Sequence, residues 1–116
     1  MEKNLVLAKS HQFALRMVRL HHYLCHEKQE YILSRQALIA GTEIGAHIKA
    51  AQEAEAKTFF FQEMGIARRQ ASKAEYWLQL LHEGDFLDEK AFTSIHADCV
   101  ELLKLLTSIL KSENRP

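Results

Sequence analysis

Between Lys57 and His82 the residues Phe60, Met64, Ala67, Ala71, Ala74, Leu78 and Leu81 recur at alternating steps of four and three. Only an α-helix places residues so spaced on one stripe, and a helix with one apolar stripe must bury it against other elements. Punctuation is scarce elsewhere too. Four glycines and one proline, Pro116, occur in 116 residues, while Ala, Leu, Glu, Lys and Gln are abundant, a composition that favours helix over strand or turn. With 47% apolar residues the chain can bury a core without disulfides or metal, and its length fits one domain over residues 1–116.

The same reasoning divides the rest of the chain. A first helix over about 5–26 carries Phe13, Met17, Leu20 and Leu24 on one stripe, with Leu15, Val18 and Cys25 on a second beside it. His26-Glu27-Lys28-Gln29-Glu30 is the polar connection to a second helix over about 31–51, where Ala37, Gly41 and Gly45, four apart, leave a face open to close approach by another helix. The third helix spans about 57–82. Gly84 suits the left-handed residue that ends it, Asp88 is placed to cap the next helix, and Leu87 and Phe92 fit a hydrophobic staple. The fourth, over about 89–111, carries Ile95, Cys99, Leu102, Leu106 and Ile109. The expected fold is all-α, an antiparallel, left-handed, up-and-down four-helix bundle without internal repeats. Its least specified point is Gln52–Lys57, which contains only good helix formers. A single helix from Tyr31 to His82 would be about 75–80 Å long, so packing is expected to force a turn there. The alternative is that long helix, completed by exchange with a second chain.

Charge and cysteine content set limits on function. Fifteen basic residues balance fifteen acidic ones, so no net field draws the whole molecule onto nucleic acid or membrane, and any such binding needs a local patch. Residues 1–28 are basic (Lys3, Lys9, Arg16, Arg19 and Lys28 against Glu2 and Glu27). The last third is acidic, with Asp85, Asp88, Glu89, Asp98, Glu101 and Glu113 against Lys90, Lys104, Lys111 and Arg115. Two cysteines, no signal-peptide pattern and no apolar run of membrane-spanning length indicate a reduced, cytoplasmic protein with no membrane partner.

Several segments carry a family resemblance: Glu30-Tyr31-Ile32-Leu33-Ser34-Arg35-Gln36, then Gly41-Thr42 with Ile44-Gly45-Ala46 and Ile48, then Phe60, Ile66-Ala67 and Glu75-Tyr76-Trp77-Leu78. Together they resemble the bacterial four-helix-bundle proteins associated with intervening sequences of 23S ribosomal RNA genes, a family related to the accessory protein of diversity-generating retroelements. The resemblance implies an up-and-down bundle, self-association as a ring-like pentamer, no catalytic activity, and RNA, DNA or a partner protein such as a reverse transcriptase as binding partners. The sequence departs from the family where Glu43 stands for a serine, His47 for an asparagine, Ala50 for an acid, Ala56 for a serine and Phe59 for an aspartate.

No constellation of residues points to catalysis, a metal or a cofactor. His22 and His26 have metal-ligand spacing, but Cys25 does not share their face and no HExxH occurs; two surface histidines near a helix C-terminus account for them. Cys25 and Cys99 fall on apolar stripes, as small buried hydrophobes do. Arg35, Gln36, Thr42, Glu75 and Tyr76 are candidates for an inter-helix polar network, with arginine and glutamate pairing to fix register. Trp77 reads as a packing anchor. Consecutive Phe59, Phe60 and Phe61 fan over about 200° of helix surface, more than one core stripe takes, so Phe59 or Phe61 is a candidate oligomer contact, and Leu103 and Leu110 add to the excess or widen the core stripe. Lys9, Gln12, Arg16, Arg19, Tyr23 and His26 follow one another at steps of three and four, a stripe about 25 Å long. Lys9, Arg16, Arg19, Tyr23 and His26 are the nucleic-acid-binding candidates, unless the acidic fourth helix neutralises them. The expected function is a non-enzymatic, oligomeric, nucleic-acid-binding accessory protein, and the alternative is a protein-binding scaffold.

Overall fold

The computed structural model describes residues 2–114, with side chains from Asn4. Met1, Arg115 and Pro116 lie outside the described residues, as do the side chains of Glu2 and Lys3. Four helices account for nearly all of the chain: α1 (Glu2–Glu27), α2 (Leu33–Gln52), α3 (Lys57–Glu83) and α4 (Glu89–Lys111), followed by a 3-10 turn, Ser112–Asn114. Each helix packs on its neighbour in sequence and α4 closes back on α1. The result is an up-and-down bundle measuring 49 × 20 × 18 Å. No helix among the described residues is long and apolar enough to cross a membrane.

The core follows the apolar stripes. Phe13, Met17 and Leu24 of α1, Ile44 and Ile48 of α2, Met64, Leu78 and Leu81 of α3, and Ile95, Cys99, Leu102 and Leu106 of α4 are all buried. The close approach expected of α2 is made by α1. A methyl group built on Gly41 would lie 2.5 Å from Met17 Cγ, and one on Gly45 would lie 3.3 Å from Ser10 Oγ. Leu15 and Val18, the second stripe of α1, stay in solvent, because α2 and α4 cover only the other side of that helix.

Three local expectations change. α2 starts at Leu33 rather than Tyr31, because the buried Glu30 carboxylate caps it: Oε2 accepts from the Ile32 and Leu33 amides (3.1 and 3.0 Å) and Oε1 from Ser34 (2.7 Å). At the end of α3 the left-handed residue is Asp85 (φ 69°), whereas Gly84 is right-handed (φ −85°). The Asp85 amide donates to His82 O and the Phe86 amide to Leu81 O, the two bonds of a Schellman turn with its left-handed residue one place later than expected. The seam of α3 begins at Phe61, which is buried, while Phe60 is only partly buried against the core. The two adjacent rings meet edge-on, with centroids 5.0 Å apart.

The other corners match. Asp88 Oδ1 accepts from the Ala91 amide at 2.8 Å and Leu87 is buried. The breaker-free segment does turn: Ala56 adopts an extended conformation before α3 with no side-chain cap. Leu103 and Leu110 are partly buried against the core, so the core stripe of α4 is wide.

Two substitutions separate these contributions in urea unfolding. Gly41→Ala forces a methyl into Met17 and is expected to destabilise by about 1–3 kcal/mol, as overpacking does. Ala56→Ser supplies the missing cap and is expected to stabilise by about 1 kcal/mol.

Candidate nucleic-acid interface

The basic stripe of α1 lies along the seam with α4, and α4 takes up two of its cations. Lys9 Nζ lies 3.1 Å from Glu101 Oε2. Arg16 Nη1 donates to Asp98 Oδ2 at 2.6 Å, and its Nη2 donates to Ser94 Oγ at 3.0 Å. Such partly exposed pairs stabilise a fold by only about 0–1 kcal/mol, yet they cancel the positive field that would attract phosphate. Arg19, Tyr23 and His26 remain exposed. Arg19 and Tyr23 share with Arg16 a shallow depression of about 260 Å³ floored by Leu20 and Ile95.

The candidate polar network is not assembled. Glu75 pairs with His96 on α4 (2.9 Å) rather than with Arg35 on α2. Thr42 Oγ1 bonds back to Leu38 O of its own helix at 2.8 Å. Arg35 and Gln36 face solvent, and Tyr76 is exposed with its ring edge-on to Trp77. Trp77 itself packs against the core. Besides Glu75–His96, the polar ties between α2 and α3 and further along α3 and α4 involve residues absent from that list. His47 Nδ1 lies 2.9 Å from Glu63 on α3 while its Nε2 lies 3.2 Å from Glu43, and Arg68 Nε donates to Thr107 Oγ1 across α3 and α4 at 2.8 Å. The signal for the first was present in the sequence, since Glu43 and His47 are neighbours on a helix face (i, i+4) and both depart from the family pattern.

The remaining candidates separate by burial. Phe61 belongs to the core, which removes it as an oligomer contact; Phe59 is 47% exposed. His22 and His26 have ring centroids 4.1 Å apart, and among the described residues no group of three or more His, Cys, Asp or Glu side chains is placed to hold a metal ion. Cys25 lies beside His21 instead (3.5 Å) and is only partly buried. Cys99 is buried, donates to Ala71 O at 3.3 Å, and burial pushes its thiol up to about 12, with the Glu75 and Asp98 charges adding to the effect. A thiol so held is not a nucleophile.

Where α3 meets α4, the His82, Phe92 and His96 rings form a column, with centroids 4.4 and 4.9 Å apart. His82 Nδ1 donates to Leu87 O at 2.9 Å and its Nε2 lies 3.2 Å from Glu89. The Leu87 carbonyl, and then the Glu89 charge, raise its pKa above the usual histidine value. A histidine whose pKa is raised by folding stabilises fully below its unfolded pKa and loses that contribution as pH rises through the folded value. His82→Gln is therefore expected to lose more stability relative to wild type at pH 6 than at pH 8, as read from urea midpoints.

Fold and surface together define a small all-α bundle protein whose distinctive polar side chains lie between helices and on its outer faces. Residues 2–108 match the family described as 23S rRNA-intervening sequence protein, and the chain belongs to that family. A crystal structure of a protein with unknown function from the S23 ribosomal protein family of Bacteroides thetaiotaomicron is similar throughout. It has a TM-score of 0.94 and 40% sequence identity, over 96% of this chain and 99% of that one. Comparison with curated proteins gives no match.

Proposed function

We propose that this chain is a non-enzymatic, self-associating bundle protein that acts as an RNA-binding accessory factor. The observation that carries self-association is apolar surface left over once the core is full. Phe59, Ile39, Val18 and Leu15 are each between 43% and 49% exposed and Ile32 is 75% exposed, on a rod whose four seams already enclose a continuous core. Spread over α1, α2 and α3, these side chains are surface that association would cover, and a closed ring, with five subunits as the family resemblance implies, is the proposed form. RNA is favoured as the ligand by the family's description; a ring would also repeat each subunit's cations and so multiply weak phosphate contacts.

A protein-binding scaffold is the second reading. The pairing of Lys9 and Arg16 with α4 supports it, because a neutralised stripe is a poor phosphate ligand.

Light scattering at micromolar concentration is expected to give a multiple of the 13.4 kDa chain mass. Phe59→Asp is expected to dissociate the assembly with helicity unchanged, since burying an unpaired charge in an interface costs several kcal/mol. A monomeric wild type would refute the assembly. Retention of RNA by Arg16→Glu/Arg19→Glu at wild-type affinity would remove the α1 stripe as the site.

A further inference from the structure

On the other side of α4 from the α1 stripe, α3 runs antiparallel to α4, joined by the Arg68–Thr107 bond and by Cys99 Sγ donating to Ala71 O. Lys57, Arg68, Arg69 and Lys73 project from α3, and Lys104 and Lys111 from α4, all exposed. Among the described residues none of these cations forms an ion pair with a carboxylate. The carboxylates of the same stretches, Glu63 and Glu101, are turned elsewhere, to His47 on α2 and to Lys9 on α1. Glu113 follows only in the 3-10 turn. A protein with zero formal net charge thus concentrates unopposed positive charge on one face.

The shape of that face points the same way. Val100, Leu103, Lys104, Thr107, Ser108 and Lys111 line an open groove of about 520 Å³ along α4. Gly65 sits on α3 one turn before Arg68 and Arg69, on the same stripe. A methyl group on it would meet only Arg69 Nη1, at 3.8 Å. In contrast to Gly41, nothing inside the chain requires this glycine, and glycine weakens a helix interior relative to alanine. Its effect is to leave helix backbone approachable from outside. No aromatic ring lines the groove, whereas single strands are held largely by stacking, so the fitting ligand is a duplex contacted through its phosphates. Helix rise separates Lys104 from Lys111 by about 10.5 Å, and Arg68 and Arg69 stand across the seam from them, so one subunit presents cations to several phosphates at once.

We infer that the α3/α4 face carrying Arg68, Arg69, Lys104 and Lys111 is a docking surface for duplex RNA, which it contacts through the phosphate backbone without reading sequence. The inference rests on the RNA-binding reading above and places the contact away from the α1 stripe. Double-stranded RNA is recognised mainly by its shape, phosphates and 2′-hydroxyls, and Thr107 lies between the cations as a hydroxyl that can join them.

The test is fluorescence anisotropy with a 20-base-pair RNA duplex, and a DNA duplex of the same length, at about 50 and 200 mM salt. It compares wild type, Arg69→Glu/Lys104→Glu, Arg16→Glu/Arg19→Glu and Gly65→Ala. For Arg69→Glu/Lys104→Glu the expected result is at least a tenfold loss of affinity at low salt and a salt slope smaller by about two, with circular dichroism and solution mass unchanged. Gly65→Ala is expected to melt higher than wild type yet bind more weakly, a combination that damage to the fold does not produce. Absence of binding by wild type at low salt overturns both this surface and the RNA-binding reading. Binding lost only in Arg16→Glu/Arg19→Glu overturns the surface and keeps the reading. A change of solution mass in Arg69→Glu/Lys104→Glu assigns the face to a contact between copies, and a preference for DNA overturns RNA as the ligand; either result ends the proposal.

Discussion

The distance between helices in this bundle is set by residues with almost no side chain. His47 opposite Glu63 fixes the antiparallel register of α2 and α3, and counting six residues from that pair brings Gly41 level with Arg69. Ala37, Ala40 and Gly41 of α2 therefore lie near Ala67, Ala71 and Ala74 of α3, and all are buried. Phe13 and Met17 of α1 and Leu102 and Leu106 of α4 supply the bulk that fills the space so left. Because interiors pack at nearly crystalline density, the small side and the large side specify one another. Met17 against Gly41 is the tightest point of that match.

Much of this was legible in the sequence. The period of the apolar residues located four helices, and the order of those helices with short links left an up-and-down arrangement as the simple solution. Periodicity failed where more than one residue could satisfy it. Phe60 continues the four-three rhythm of α3, but Phe61 is the more buried ring, because at the end of a bundle adjacent rings compete for the last core layer and packing rather than period chooses between them. Glu30 is not legible as a cap because glutamate is not a usual capping residue in that position; its longer side chain reaches the α2 amides from three residues before the helix begins. Gly84 attracted the left-handed conformation on paper, yet Asp85 adopts it, a conformation that aspartate tolerates better than most residues.

Polar partners were less legible than apolar faces, for a physical reason. Burial is shared over many contacts and survives small changes of helix rotation, whereas an ion pair depends on two side chains meeting within about 4 Å. Glu75 lies within reach of either neighbouring helix by pattern alone, and the helix rotation gives it to His96 rather than Arg35. Glu43 and His47, unusual for the family when taken singly, make sense as a unit with Glu63. The neutral imidazole can donate to one of these two carboxylates and the imidazolium to both. On the surface, sequence showed where cations are but not what opposes them. The α1 stripe, prominent in the sequence, is the one that α4 partly neutralises.

The two ends of the rod are not alike. The α1–α2 and α3–α4 corners share one end, where Glu30, Asp88 and the Schellman turn at Asp85 satisfy the free helix termini. The other end gathers the start of α1, the uncapped corner at Ala56 and the 3-10 turn that closes α4. Local opening in proteins begins where termini and uncapped helix ends lie, so amide exchange should run as a gradient along the long axis, fast at the Ala56 end and slow at the Glu30 end. Phe59, Lys57 and Lys111 all sit toward the fast end. The rod therefore keeps its adaptable backbone at one end, while the opposite end acts as the clamp that holds four helices in register.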